Sequence, residues 1–244
     1  MCLELSVVIP VNNELGNIAP LVSEVRAALD GRAEYELICV DDGSDDGTAE
    51  RLGDLQRDFP RLGVISLRRR TGQSAAILAG VRAARGAWIA TLDGDGQDDP
   101  ADLASMLAMV RDPDAKPALK LVVGHRRHRR DALTKRVASR VANGVRALVL
   151  GDATPDTGCG LKLFSREAFV GLPRFDHMHR FLPALFLQSG WQVTSMPVTH
   201  RPRRHGRSHY GVLDRLGTGV VDLLGVLWLK RRALGSATEM IDER

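Results

Sequence analysis

Residues 40–48 read Val-Asp-Asp-Gly-Ser-Asp-Asp-Gly-Thr, an acidic stretch that directly follows the hydrophobic run 35–39. A second acidic stretch, Leu-Asp-Gly-Asp-Gly-Gln-Asp-Asp-Pro at 92–100, follows the hydrophobic run 87–91. Carboxylates crowded at the carboxyl ends of neighbouring parallel strands repel one another unless a cation or the donors of a ligand lie between them. The two stretches therefore predict an enzyme whose site binds a metal ion and a nucleotide.

Short apolar runs alternate with helical patterns around these stretches. The pattern predicts strands at 5–11, 37–40, 64–67 and 88–92, and helices at 17–30, 46–58 and 73–85. The last of these helices is rich in small residues, so we expect it to pack close to the sheet. Repeated alternation of strand and helix indicates parallel βαβ units, whose ligand-binding loops share one edge of the sheet.

The pattern is looser after residue 100. It predicts helices at 101–110, 133–150 and 178–189, and strands at 119–123, 159–164 and 191–198. We therefore expect an α/β fold that resembles the Rossmann fold, with a mostly parallel central sheet between two helical layers.

Length and composition fit one globular α/β domain, because 244 residues with 44% hydrophobic content can bury a sizeable core. The three cysteines, Cys2, Cys39 and Cys159, have no Cys-x-x-Cys spacing, so neither a disulfide framework nor a zinc site is indicated. The run 5–11 lacks a basic leader and is predicted to be a strand, not a signal peptide. We expect a cytoplasmic protein.

The net charge of +4 conceals an asymmetry along the chain. Residues 1–110 hold 10 Lys and Arg against 18 Asp and Glu, whereas residues 111–244 hold 24 against 12. This distribution favours cation binding in the first part and anion binding in the second, although unevenly scattered surface charge would give the same counts.

Asp93 and Asp95 stand two residues apart at a strand end, where both carboxylates can reach one cation. Oxygen ligands with open positions for water suit Mg²⁺ or Mn²⁺ shared with a diphosphate. Gln97 is a further candidate oxygen ligand. The alternative is an acidic surface turn, because Asp-Gly-Asp alone is a weak signal.

Asp41 and Asp42 are suited to accept hydrogen bonds from a base or a ribose. The alternative is a helix cap, for which Asp45 and Asp46 are at least as well placed. The segment from Pro10 to Glu14 ends the first strand at the same edge of the sheet and is predicted to lie near the same base.

The motifs in their order resemble family 2 glycosyltransferases of the GT-A fold. The resemblance is to the branch with dolichyl-phosphate mannosyltransferases and bacterial undecaprenyl-phosphate sugar transferases, and it covers residues 5–211. It is carried by Val-Val-Ile-Pro-x-x-Asn-Glu (7–14), Val-Asp-Asp-Gly-Ser-x-Asp-Gly-Thr (40–48), Gly-Gln-x-Ala-Ala (72–76), Asp-x-Asp-x-Gln-Asp-x-Pro (93–100), Gly-x-Arg (124–126), Asp-Thr-Gly-Cys-Gly-Leu-Lys (156–162) and His-x-Pro-Arg-x-x-Gly-x-Ser (200–208). Asn12, Arg70 and His209 depart from the residues common in the family.

The resemblance implies an inverting, metal-dependent transfer of a sugar from a UDP- or GDP-sugar to a polyprenyl phosphate. The acceptor oxygen is already anionic, so no general base is needed. The expected donor-binding residues are Pro10, Asn12, Glu14, Asp41, Asp42, Gly72, Gln73 and Asp93, and the expected metal ligands are Asp93, Asp95 and Gln97. The expected acceptor-phosphate residues are Arg126, Arg203, Arg207, Ser208 and His209, and Asp95, Arg126 and Arg203 are the expected catalytic residues. Any single Arg among so many is equally well explained as solvated surface.

Residues 216–229 form an apolar stretch that is too short to span a bilayer and ends in Trp228 and basic residues. An amphipathic helix of this kind is typical of an anchor on an anionic membrane surface. The alternative is that its apolar face packs on the body of the protein or in a homo-oligomer. We therefore divide the chain into a GT-A domain at 1–211 and a membrane-associating helix and tail at 212–244.

Three other functions fit parts of the pattern. A nucleic-acid-binding protein would explain the pI of about 9.2, but the aromatic content of 5% disfavours base stacking. A sugar nucleotidyltransferase would usually carry a Gly-rich, basic loop after the first strand, and residues 11–16 are not such a loop. A glycosyltransferase with a glycan or other hydroxyl acceptor remains an alternative.

Overall fold

The computed structural model describes residues 3–126, 144, 150–152, 154–203 and 212–232. In these residues the strands are β1 Leu5–Val11, β2 Tyr35–Asp41, β3 Leu62–Ser66, β4 Trp88–Thr91, β5 Leu119–Arg126, β6 Lys162–Ser165 and β7 Gln192–Val198. The helices are α1 Leu15–Leu29, α2 Thr48–Asp58, α3 Gln73–Ala83, α4 Asp102–Arg111, α5 Arg166–Val170, α6 Leu182–Gln188 and α7 Val212–Arg232, with a 3-10 turn at Met178–Arg180. The predicted helix at 133–150 lies outside the described residues, apart from residues 144 and 150.

The strands form one sheet in the order β3-β2-β1-β4-β6-β5-β7. β6 is antiparallel to both of its neighbours, and every other pairing is parallel. The carboxyl ends of β1, β2, β3, β4, β5 and β7 therefore lie at one edge, together with the beginning of β6. We call this edge, with the loops that follow or precede these strand ends, the site edge.

Side chains alternate along each buried strand, so both faces of the sheet carry apolar side chains, and helices cover both faces. Val7 and Ile9 face the layer of α1, α2 and α4, whereas Val8 faces the layer of α3, α5, α6 and α7. The predicted α/β fold with a mostly parallel sheet between two helical layers is confirmed. α3 packs close to the sheet as predicted, since a methyl group at Gly80 would lie 3.2 Å from Val40 Cγ2.

Two predicted elements differ from those observed. The predicted helix at 178–189 is divided into the 3-10 turn Met178–Arg180 and α6, which begins at Leu182. Pro183 explains the new start, because proline lacks a backbone N–H and suits the first turn of a helix. The predicted strand at 159–164 begins only at Lys162, since the preceding residues run against the acidic loop after β4.

α7 extends the predicted apolar segment at both ends. In its described part Val226 is buried, and Leu223 and Leu227 pack partly against the layer of α3 and α6. Lys230 Nζ donates to Leu150 O at 2.9 Å. No helix in the described ranges is both long and apolar enough to cross a bilayer.

The predicted single apolar face of α7 is divided in the structure. Leu224 and Trp228 are 60% exposed and Val221 is 69% exposed, whereas Leu223 and Leu227 pack partly against the body. Asp222 is directed toward the body, where its Oδ2 lies 3.0 Å from His177 Nδ1. α7 thus has one apolar surface packed against the protein and a second apolar surface in solvent. The structure therefore fits both the predicted packing on the body and the predicted contact with a membrane.

Candidate active site

The acidic loops lie together because β2 and β4 flank β1. Val11 at the end of β1 pairs with Asp41 in the parallel ladder, and Val8 pairs with Thr91. The loop after β4 passes over the end of β1, where a methyl group at Gly94 would lie 3.0 Å from Pro10 O. Residues 10–14, 41–44 and 93–98 therefore line one part of the site edge.

Asp93 and Asp98 crowd together against Gly160. The backbone N–H of Asp93 donates to Asp98 Oδ2 at 3.2 Å, and Gln73 Nε2 donates to Asp93 Oδ1 at 2.8 Å. Burial, and then the charges of Asp93 and Asp95, raise the pKa of Asp98 to about 7. Burial and the charge of Asp95 likewise raise the pKa of Asp93. The folded chain thus holds carboxylates close together in a place that favours an added cation.

Lys162 is the buried cation below these carboxylates. It begins β6, and its side chain is 4% exposed with Nζ donating to Cys159 O. Burial lowers the pKa of Lys162, whereas the charges of Asp93 and Asp98 oppose that shift. The Lys162 amino group therefore lies within electrostatic reach of the carboxylates of Asp93 and Asp98.

Asp95 is held by its own loop and by a distant arginine. Its Oδ1 accepts from the backbone N–H of Gln97 at 3.0 Å, and its Oδ2 accepts from Arg203 Nη2 at 2.6 Å. Burial raises the pKa of Glu14, and the charge of Asp95 adds to the shift while that of Arg203 opposes it. Glu14, Asp95 and Arg203 therefore interact electrostatically at the site edge.

The segment 199–203 is hydrogen-bonded to the acidic loop that follows β4. Arg201 N donates to Gln97 O at 2.8 Å, and Gln97 Nε2 donates to Arg201 O at 3.2 Å. The Arg201 guanidinium makes ion pairs with Glu24 and Asp99 at 2.7 and 2.6 Å. These contacts bring Arg203 to Asp95, and they direct the Gln97 amide nitrogen toward Arg201. The role of Gln97 as a metal ligand stays a prediction.

Asp41 and Asp42 have different surroundings although they are adjacent. Asp42 accepts from Thr71 N, Thr71 Oγ1 and Gly72 N at 2.6, 2.7 and 2.8 Å, so both of its oxygens hold the loop before α3. Asp41 accepts from the Ser44 hydroxyl through Oδ1. Asn12 Nδ2 donates to Asp42 O at 2.9 Å. Asp42 thus shapes the loop before α3, whereas Asp41 holds the turn at Ser44.

Arg126 forms a nearly buried, bidentate pair with Asp156. Nε and Nη2 donate to the two carboxylate oxygens at 2.6 and 2.7 Å, and the side chains are 11% and 7% exposed. Burial opposes the charged form of Arg126, but the Asp156 partner outweighs it and raises the pKa of the guanidinium. Arg126 is therefore a fixed cation at the end of β5.

The structure brings together most of the predicted site residues at the site edge. Arg207, Ser208 and His209 lie outside the described residues. The site also contains four residues to which the sequence pattern assigned no role: Lys162, Asp156, Asp98 and Arg201. Asp156 and Lys162 stand in a motif that we quoted without giving its residues a role, and the odd placement of a Lys at the start of an apolar strand was the available signal.

The carboxylates suit a divalent cation, although the described ranges hold no cluster of three or more His, Cys, Asp or Glu side chains arranged as a complete metal cage. Asp93, Asp95 and Asp98 offer hard oxygen donors whose mutual repulsion a cation would relieve. Mg²⁺ is commonly bound by one or two carboxylates together with substrate phosphates. The residues therefore fit a cation that is completed by a phosphate ligand.

A family profile described as "Glycosyl transferase family 2" matches residues 6–171. The chain is 38% identical over 234 residues to the dodecaprenyl-phosphate galacturonate synthase of Rhizobium johnstonii, covering 94% of this chain and 68% of that protein. It is 33% identical to the undecaprenyl-phosphate 4-deoxy-4-formamido-L-arabinose transferase of Edwardsiella ictaluri, covering 85% and 63%. The chain thus spans about two thirds of the length of these relatives.

Among solved structures, the chain is similar to glucosyl-3-phosphoglycerate synthase from Mycobacterium tuberculosis, crystallised with Mg²⁺ and uridine diphosphate. The TM-score is 0.67 at 20% identity, and the match covers 93% of this chain and 79% of that one. At this identity the likeness establishes the fold.

Proposed function

The chain belongs to glycosyl transferase family 2, and on that premise we propose that it transfers a sugar from a nucleotide-sugar to a polyprenyl phosphate with inversion at the anomeric carbon. The observation that carries the proposal is the meeting of Asp93 and Asp95 with the cations Arg126 and Arg203 at one edge of the sheet. Both curated relatives are named for transfer to, or synthesis on, a polyprenyl phosphate, which supports this class of acceptor.

The donor is proposed to lie over the carboxyl ends of β1, β2 and β4. Asp41 and Asn12 are proposed to contact the base and ribose, with Pro10 and Glu14 bordering the same pocket. Asp42 acts by holding Thr71 and Gly72, so that Gln73 reaches Asp93. The donor is proposed to be a UDP- or GDP-sugar.

Asp93 and Asp95, with Gln97 as a further ligand, are proposed to hold Mg²⁺ or Mn²⁺ against the donor diphosphate. A divalent ion there neutralises the charge that develops on the departing nucleotide. Arg203 occupies Asp95 Oδ2 in this structure, so a cation at Asp95 must share that oxygen with Arg203 or displace it.

Arg126 and Arg203 are proposed to orient the acceptor phosphate, because guanidinium groups bind phosphate oxygens strongly and with defined geometry. Arg207, Ser208 and His209 follow Arg203 in the chain and are proposed to complete that contact. An acceptor phosphate is anionic near neutral pH, so its oxygen attacks the anomeric carbon without a general base. The residues contribute by alignment and by stabilising charge.

The test is a matrix of donors and acceptors with the purified protein and Mn²⁺. We expect UDP- or GDP-sugars to react with a short-chain polyprenyl phosphate and not with the matching polyprenol, because only the phosphate brings its own anionic nucleophile. Products are identified by mass spectrometry. Equal rates with the polyprenol or with a free sugar hydroxyl would contradict the proposed acceptor.

α7 is proposed to rest on the cytoplasmic face of the membrane. Val221, Leu224 and Trp228 recur at three- and four-residue spacing, are 60–69% exposed, and precede Lys230, Arg231 and Arg232. An exposed apolar stripe beside cations fits an anionic lipid surface. The opposite face is already packed on the body, so this stripe remains available for lipid.

Replacing Val221, Leu224 and Trp228 together by Ser, Gln and Gln is expected to abolish flotation with anionic vesicles. The rate with a polyprenyl phosphate in bilayers should fall about tenfold or more, because each exposed apolar side chain contributes on the order of 1 kcal/mol on insertion. The rate with a water-soluble acceptor should stay unchanged. Val170→Ser, which changes an apolar residue that is 47% exposed outside α7, is the control. Unchanged flotation of the triple variant would show that α7 is not the anchor.

A further inference from the structure

The amino end of α3 has no side-chain cap of its own. Gly72 occupies the cap position with φ +96°, a conformation that favours glycine, and no side chain accepts from the first turn at that position. The preceding loop is instead held by Asp42 through Thr71 and Gly72. The first turn of α3 is thus positioned by residues from outside the helix.

His179 holds the same turn from the other side. Its Nδ1 lies 2.7 Å from Ser74 Oγ, and its backbone N–H donates to that oxygen at 3.4 Å. Ser74 is 5% exposed. His179 belongs to the 3-10 turn Met178–Arg180, which packs against α3.

Gln73 lies between these two attachments. Its Nε2 donates to Asp93 Oδ1 at 2.8 Å, which orients a carboxylate proposed to bind the cation. The direction of a ligating carboxylate is commonly set by such outer hydrogen bonds. A small rotation of the first turn of α3 would move the amide of Gln73 away from Asp93.

We propose that His179 is a positioning residue of the donor site, which acts through Ser74 to keep Gln73 on Asp93. The inference rests on the proposed function, since it assigns a task to residues of that site. His179 need not touch the donor. It acts through its hydrogen bond to Ser74 and through the first turn of α3.

The imidazole is suited to this task because it stays neutral. Burial, followed by the positive charges of Lys162 and Arg180 and the neighbouring His177, lowers the pKa of His179 well below the usual range. In the neutral tautomer protonated at Nε2, the ring has a lone pair on Nδ1 that accepts from the Ser74 hydroxyl. Asparagine carries an oxygen acceptor at a similar distance from the backbone as Nδ1, whereas leucine has a similar volume and no acceptor.

The experiment is a double-mutant cycle with Mn²⁺ and a nucleoside diphosphate, using UDP or GDP as the wild-type protein selects. Calorimetry gives the Kd, and a melting curve reports on folding. His179→Leu should weaken binding about tenfold, the size of one lost hydrogen bond. His179→Asn should stay within about threefold of the wild type, since it restores an acceptor.

The decisive readout is the coupling to Gln73. In a Gln73→Ala background, His179→Leu should change the Kd by less than about twofold, because the residue through which it acts is already gone. His177→Asn is the matched control, since His177 bonds to Asp222 and not to Ser74. If His179→Leu fails to fold, Ser74→Ala breaks the same bond and should give the same loss and the same coupling.

Each outcome has a separate meaning. Additive effects of the His179 and Gln73 changes, or no rescue by Asn, would overturn the positioning role. A wild-type protein that binds neither UDP nor GDP with Mn²⁺ would contradict the proposed function. Wild-type binding that His179→Leu and Ser74→Ala leave unchanged would contradict this inference alone.

Discussion

Asp95→Asn is expected to lower the turnover number about 100-fold or more while the fold is retained. The change removes one negative charge from the pair that is proposed to hold the cation. It keeps the side-chain volume and an oxygen that accepts from the Gln97 backbone N–H. Steady-state kinetics across a Mn²⁺ titration and a melting curve measure the two effects.

The control for this change is Asp112→Asn, which alters a carboxylate in the exposed turn after α4. It should leave turnover and Mn²⁺ dependence unchanged. Asp95→Asn turnover close to that of the wild type at low Mn²⁺ would show that Asp95 is not a ligand. An equal loss in both variants would indicate a general effect of charge.

Gly160→Ala is expected to abolish activity and to destabilise the protein by about 1–3 kcal/mol, the usual range for overpacking. A methyl group at position 160 would lie 2.5 Å from Asp93 Oδ2 and 2.6 Å from Asp98 Oδ2. These distances are far below van der Waals contact, so the two carboxylates or the backbone must move. Urea unfolding and kcat measure the stability and the catalytic consequence.

The matched control stands two residues away in the same loop. A methyl group at Gly158 would meet Arg126 Nη2 at 3.5 Å and Asp156 Oδ1 at 3.8 Å, which are ordinary contacts. Gly158→Ala should therefore keep most of the stability and activity. Wild-type activity in Gly160→Ala would mean that the carboxylates at the floor of the site need not keep their observed positions.

The local pattern of the sequence sufficed for β1, whose predicted bounds 5–11 match Leu5–Val11, and for the acidic loops after β2 and β4. These features depend on side chains that are close in sequence. The sequence could not predict that Asp41 and Asp42 differ in their surroundings. Asp42 accepts hydrogen bonds from Thr71 and Gly72, which lie about thirty residues away along the chain. The same holds for Arg126, whose partner Asp156 is thirty residues further on.

The sequence did not predict Lys162 as a site residue, and the reason is the topology of the sheet. A parallel sheet predicts site residues where strands end, since the carboxyl ends of parallel strands share an edge. β6 runs the other way, so its first residue lies there instead. Periodicity likewise identifies an apolar side of α7 but does not predict which part of that side the protein covers.

The reversed direction of β6 also bears on how such a chain can diversify. β5 arrives at the site edge with Arg126, and β6 departs from the same edge with Lys162. The connection between them therefore begins and ends at the site edge. Insertions or deletions in such a connection leave the order of the strands unchanged. We therefore expect variation in this connection to change the proposed acceptor site while β1, β2 and β4, which carry the proposed donor site, keep their arrangement.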